Sequence, residues 1–203
     1  MKNLGSKLSL VTQNLPMHFD NPEFRQDAIR SVTQSVAKIN NMCTKLSLLS
    51  QRFEIHPKPA NLDLLVTDAL KSLDGIFKIP VRCSQGNVND LNIDGEQIQK
   101  VIVNLLLNAN EAVAGDGQIS ISTSRDSGWA QVAVSDTGCG MSREFIETSL
   151  FKPFQTTKPQ GMGIGLFHCK TIVEALGGRI EVESGEGKGT TFRVLLPEKR
   201  VAG

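Results

Sequence analysis

Leu4, Leu8, Val11 and Leu15 recur at intervals of three and four, the period of an amphipathic helix. Pro16 to Pro22 supplies a break, and Asn21-Pro22-Glu23 opens a second helix, Asn being a good cap and Pro tolerated in the first turn. Ile29, Val32, Val36, Ile39, Met42, Cys43, Leu46 and Leu49 carry the same spacing onward, so residues 2–52 read as a helical hairpin. Its apolar seam is too long for two helices to bury alone. A four-helix bundle made by two chains would bury it; a hairpin packed on its own C-terminal domain is the alternative.

The pattern then changes. His56-Pro-Lys-Pro-Ala60 reads as a linker, since paired prolines cannot continue a helix. It divides a hairpin over residues 1–56 from a mixed domain over 57–203. Leu62 to Leu73 is a short amphipathic helix, and Val81–Ser84 and Leu91–Ile93 read as strands around a Gly86-Asn87 turn. Residues 95–114 form a strongly apolar helix stopped by Gly115-Asp-Gly117. Gln118–Ser124 and Trp129–Ser135 alternate apolar and polar residues across Asp126-Ser-Gly128, a hairpin signal. Ser142 caps a short helix over 142–149, and Ile164 to Leu176 is a helix closed by Gly177-Gly178. Ile180–Ser184 and Thr190–Leu196 form a last hairpin. Helices with a mostly antiparallel sheet imply an α+β fold in two layers, preceded by the helical hairpin.

Composition narrows the function classes. At 203 residues there is ample chain for a core, and 39% apolar with 21% charged residues is the balance of a soluble globular protein. A formal net charge of +1 gives no reason to expect nucleic acid or an anionic membrane as main partner. No apolar run approaches the roughly 20 residues of a membrane helix, so no direct membrane insertion is expected. Cys43, Cys83, Cys139 and Cys169 are widely spaced, without a C-x-x-C pair, which points to a reducing cytoplasmic setting. The soluble portion of a larger membrane receptor would look the same.

Three segments carry candidate chemistry. Asn104 and Asn108 lie one turn apart on a helix that is otherwise apolar almost all round. A buried Asn amide must find partners, and a hydrated Mg²⁺ with phosphate oxygens would supply them; bonds to neighbouring backbone would do so too. Asp136 follows a strand and precedes Gly138 and Gly140, so its carboxylate can accept from an exocyclic amine such as that of adenine, or simply close an Asp-Thr-Gly turn. Gly161-Met-Gly-Ile-Gly165 begins a helix, where free N–H groups and the dipole favour phosphate. It neither follows a strand like a dinucleotide fingerprint nor ends in the Gly-Lys-Ser/Thr of a Walker loop. Lys158 stands close by and could neutralise phosphate charge.

Taken together the segments resemble sensor histidine kinases. Asn104-Leu-Leu-Leu-Asn108-Ala-Asn-Glu-Ala112 resembles their N box, Asp136-Thr-Gly-Cys-Gly-Met141 their first glycine box, and Phe151-Lys-Pro-Phe-Gln-Thr-Thr-Lys158 their F box. Gly161-Met-Gly-Ile-Gly-Leu166 is similar to the second glycine box and Gly187-Lys-Gly-Thr-Thr-Phe192 to the closing Gly-Thr segment. The F-box form resembles the nitrogen-regulatory branch. The resemblance implies the GHKL two-layer α/β sandwich with ATP and Mg²⁺ as cofactors. Asn108 would hold Mg²⁺, Asn104 would sit beside the phosphates, and Asp136 would receive the adenine amine beside Gly138, Gly140 and Met141. Gly161, Met162, Gly163, Ile164, Gly165 and Leu166 would line the phosphates with Lys158, and Thr190 would reach the adenine end. It also implies a homodimer through the hairpin and a response regulator receiver domain as partner.

Two departures qualify the resemblance. Glu111 stands where many members carry a basic residue. The family's phosphoacceptor histidine is expected just before residue 1, Lys2-Asn3-Leu4 resembling the tail of its box; His18, His56 and His168 do not fit it. A GHKL hydrolase is disfavoured because Asn104 cannot act as the base that such enzymes need. A nucleotide-sensing scaffold is the remaining alternative.

Overall fold

The computed structural model describes residues 2–50, 54–77, 79–157 and 163–198, with side-chain surroundings in the first stretch given for residues 9–37. The chain divides into two compact units, Met1–Arg52 and Phe53–Gly203.

The first unit holds α1 (Lys2–His18) and α2 (Pro22–Ser50). The break falls within Pro16 to Pro22 as expected, although α1 runs through Pro16 itself to His18. A proline in the last turn removes one helical bond without ending the helix, and the chain turns only after His18. Asn21 caps α2 as expected, its Oδ1 accepting from the N–H of Glu23 at 2.9 Å and of Phe24 at 3.3 Å. Among the residues whose side chains are described, Ala28 and Ser35 are enclosed, and the Ser35 hydroxyl donates to the Ser31 carbonyl at 2.8 Å. Ile29, Val32 and Val36, from the apolar seam, are exposed. Leu4, Leu8, Ile39, Met42, Cys43, Leu46 and Leu49 lie outside the residues whose side chains are described.

In the second unit three helices, α3 (Leu62–Ser72), α4 (Gly95–Ala112) and α6 (Gly165–Ala175), share one core with a five-stranded sheet. The sheet order is β2 (Val81–Ser84), β4 (Ile119–Asp126), β5 (Trp129–Asp136), β7 (Gly189–Pro197), β6 (Arg179–Gly185). All pairings are antiparallel except that of β2 with β4. The period-2 alternation acts as read: Ala130, Val132 and Val134 of β5 are buried against the helices, their neighbours less so. Ser127 and Gly128 both take positive φ, which closes the β4–β5 hairpin in the twist that two-residue turns favour. Gly177 and Gly178 end α6 by donating to the carbonyls of Glu174 and Val173 at 2.9 Å each.

Two expectations fail. Residues 58–60, read as linker, form β1 (Lys58–Ala60), paired with β3 (Leu91–Ile93) in a separate two-stranded sheet. β2 and β3 are therefore not a hairpin. The loop between them gives its amides elsewhere: Gly86 N–H to Thr123 Oγ1 at 2.8 Å and Val88 N–H to Asp63 Oδ2 at 3.1 Å. Those bonds hold the two strands on different elements.

Candidate functional site

The site is built on α4. Asp94 starts it, Oδ1 accepting from Gln97 N–H at 3.1 Å and Oδ2 from His56 N–H at 2.9 Å. Burial pushes this carboxyl up, but the amides of His56, Gln97 and Glu96 and the charge of His56 outweigh it and hold the pKa below the usual range. Ile98, Val101, Ile102, Leu105, Leu106 and Ala109 anchor the helix in the core. That anchoring fixes the remaining face, on which Asn104, Asn108 and Ala112 follow at intervals of four.

The two asparagines meet each other: Asn108 Nδ2 donates to Asn104 Oδ1 at 3.0 Å. The first residue of α6, Gly165, lies directly against the Asn104 amide, where any Cβ would overlap it. One turn past Asn108, Ala112 packs on Gly138, and its carbonyl accepts from Cys139 N–H at 3.2 Å. A single helix face thus carries the asparagine pair and touches both glycine segments.

Asp136 stands at the next inward position after Ala130, Val132 and Val134, so the alternation that buries apolar residues buries a carboxyl here. Gly138 N–H donates to its Oδ1 at 2.8 Å. Burial raises the Asp136 pKa, against the opposing pull of the amides of Gly138 and Thr190. Thr190, its register partner on β7, is buried beside it. Gly140 turns at φ 64° with its Cα against the Gly185 carbonyl, which leaves no room for a side chain.

Ser184 was not singled out by the sequence. Its hydroxyl takes Met141 N–H at 3.0 Å, donates to the Gly189 carbonyl at 2.8 Å, and lies 2.9 Å from Thr190 Oγ1. It ties the first glycine segment to the closing Gly-Thr turn. A hydroxyl residue ending a strand before Gly185 was the available signal.

At the other end, Ile164 is buried and precedes α6 without a side-chain cap, and no acidic residue occupies the first turn. Leu166 is half-buried on the core. The opening amides of α6 thus have no capping side chain where Gly165 meets Asn104, an arrangement suited to an anion. Lys158, Gly161 and Met162 lie outside the described residues.

This donor set fits a nucleotide. Side-chain amides suit a Mg²⁺–phosphate group, a helix start against them suits phosphate, and a buried carboxyl at the far end of the same face suits an amine.

Residues 93–200, more than half of the chain, match the family described as histidine kinase-, DNA gyrase B-, and HSP90-like ATPase. The sensor histidine kinase ZraS of Escherichia coli (strain K12) is 38% identical over 164 residues, covering 79% of this chain and 35% of ZraS. Sporulation kinase C of Bacillus subtilis (strain 168) is 31% identical over 186 residues, covering 86% of this chain and 42% of that kinase. The chain therefore spans well under half the length of these curated relatives. Among solved structures, the nucleotide-free catalytic domain of the histidine kinase ThkA superimposes with a TM-score of 0.62 at 30% identity, covering 72% of this chain and 97% of that domain. The chain belongs to the histidine kinase-, DNA gyrase B-, and HSP90-like ATPase family, and its relatives there are sensor histidine kinases.

Proposed function

We propose that this chain is the ATP-binding catalytic portion of a cytoplasmic two-component sensor histidine kinase. It passes the γ-phosphoryl group of ATP to a histidine nitrogen, from which an aspartate of a response regulator receiver domain takes it. The observation that carries the reading is the docking of the α6 start on Asn104, which itself is bonded to Asn108.

Bound Mg²⁺–ATP supplies the electrophilic γ-phosphorus and a counter-charge for its oxygens. Asn108 offers its amide oxygen to the metal and Asn104 orients it. The amides of Gly163 to Leu166, with Gly161, Met162 and Lys158, hold phosphate oxygens. Asp136 accepts the adenine amine within a wall formed by Gly138, Gly140, Met141 and Thr190. Asn104 and the α6 start, in the middle of α4, would hold the phosphates, and the Gly138 segment at its C-terminal end would hold the base. Mg²⁺ and these fixed donors would stabilise the γ-phosphoryl group during its transfer to a histidine nitrogen.

The hairpin over residues 1–56 serves dimerisation, and residues 57–203 form the catalytic domain. None of the three histidines is the acceptor. The His18 ring packs 5.5 Å from that of Phe24, His56 pairs with Glu54 at 3.8 Å, and His168 lies on α6 with its ring against Phe167. The acceptor nitrogen comes from another segment.

Incubation with Mg²⁺ and γ-labelled ATP tests this. The expected result is saturable nucleotide binding without acid-labile label on the chain and without rapid phosphate release; Asn108→Ala should abolish the Mg²⁺ dependence of binding. Acid-labile label would make His18, His56 or His168 an acceptor. Fast phosphate release would make the chain a hydrolase, with Glu111 the first candidate base.

A further inference from the structure

Phe154 and Gly163 both take positive φ and are bonded to one another. Phe154 N–H donates to the Gly163 carbonyl at 2.7 Å, which bridges two positions nine apart in sequence. Phe154 has φ 67°, a left-handed conformation that bulky side chains disfavour. Gly163 has φ 66°, and a Cβ there would come within 2.7 Å of the Gln155 backbone N and O and of the Phe154 carbonyl carbon. Such strain persists only where the surroundings impose it.

The consequence lies two residues on. Ile164 is buried in the core, and Gly165 opens α6 against the Asn104 amide. We propose that Phe154 and Gly163 form a backbone clasp that fixes the start of α6 over Asn104. Gly163 is thus a positioning residue, conformationally required by the clasp in addition to any contact with phosphate. On the Phe154 side the clasp is continuous with the turn after α5 (Arg143–Thr148), where Lys152 N–H donates to the Ser149 carbonyl at 2.9 Å and Gln155 N–H to the Lys152 carbonyl at 3.4 Å. The segment after α5 and the beginning of α6 are therefore held to one another by a main-chain bond. The effect on affinity rests on the nucleotide-binding reading; the clasp itself does not.

The experiment uses the full chain and three variants, Gly163→Ala, Phe154→Pro and Phe154→Gly. Hydrogen exchange at amide 154 is followed without nucleotide, together with Mg²⁺-dependent affinity for a fluorescent ATP analogue and the melting temperature. Phe154→Pro removes the donor and forbids positive φ, whereas Phe154→Gly keeps both. Exchange at 154 should be slow in the unaltered chain and in Phe154→Gly, and about tenfold faster or more in Gly163→Ala. Affinity should fall about tenfold in Gly163→Ala and Phe154→Pro, and clearly less in Phe154→Gly. Equal losses for the two Phe154 variants would assign the role to the ring and overturn the clasp. So would fast exchange at 154 in the unaltered chain. If Gly163→Ala fails to melt cooperatively, the Phe154 pair decides alone. If the unaltered chain binds no analogue while the exchange difference holds, the nucleotide reading fails and the clasp stands.

Discussion

At the residue scale Asp136 is the most telling position, because it places a carboxyl where the strand alternation calls for an apolar side chain. Burial lifts its pKa, so the sign of its pH dependence is opposite to that of a salt-bridged aspartate. Its contribution to stability is full below the unfolded pKa and lost as pH rises through the folded one. At neutral pH the ionised group therefore destabilises the nucleotide-free fold. Asp136→Asn should melt no lower than the unaltered chain at pH 7, and its advantage should shrink on acidification. Its ATP affinity should nevertheless fall roughly 10- to 100-fold, since an amide nitrogen would face the adenine amine. Calorimetric melting and nucleotide titration from pH 7 downward check both. In the unaltered chain, affinity should begin to fall on acidification at a higher pH than an ordinary aspartate would give. A variant that loses stability at pH 7 as well as affinity would show that the carboxylate is retained for the fold.

At the element scale α4 organises the site, and its two requirements can be separated. Leu106, fully enclosed, holds the helix in the core, and Leu106→Ala should cost about 3 kcal/mol in denaturant unfolding. Asp94 starts the helix and also holds the His56 amide, so Asp94→Ala should cost about 1 kcal/mol. Because the Asp94 pKa is lowered, its stabilisation is present above the unfolded pKa and disappears as pH falls through the folded one. Asp94→Asn should keep most of the cap at pH 7 and remove that acid-side loss; unfolding free energies at several pH values measure it. The sequence made α4 legible, since its apolar positions, its asparagines and its glycine stop all carry local signals. It also revealed the two long hairpins, whose strands alternate over eight residues on β4 and β5. It misled at β2 and β3, which are four and three residues long and whose register partners on β4 and β1 lie 38 and 31 to 35 residues away. Strands this short carry no periodicity that identifies a partner, and the nearest turn signal then invites a hairpin. Within the site, residue types were readable but their contacts were not. The link from Ser184 to Met141, and the closeness of Gly165 to Asn104, arise from tertiary packing alone.

At the scale of the whole molecule the helical unit poses a question of burial. Among its described residues Ala28 and Ser35 are buried, while Leu10 is 63%, Ile29 66%, Val32 40% and Val36 49% exposed. Ile29, Val32 and Val36 follow the three-and-four spacing of a bundle seam, so one face of α2 presents apolar side chains without burying them. A second copy of the same hairpin would cover them in a four-helix bundle, the homodimer proposed above. Under two-fold symmetry each substitution acts twice, so Ile29→Glu with Val32→Glu alters four contacts. At about 1 kcal/mol or more for each apolar side chain kept in water, dimer dissociation should strengthen roughly a thousandfold. Sedimentation equilibrium over a dilution series reads this directly. The unaltered chain should dimerise, and its melting temperature should rise with concentration. The double variant should sediment as a monomer, while its catalytic unit still binds ATP. A monomeric unaltered chain at the highest concentrations would leave the seam for another partner. A double variant that remains dimeric would place the dimer contact elsewhere on the chain.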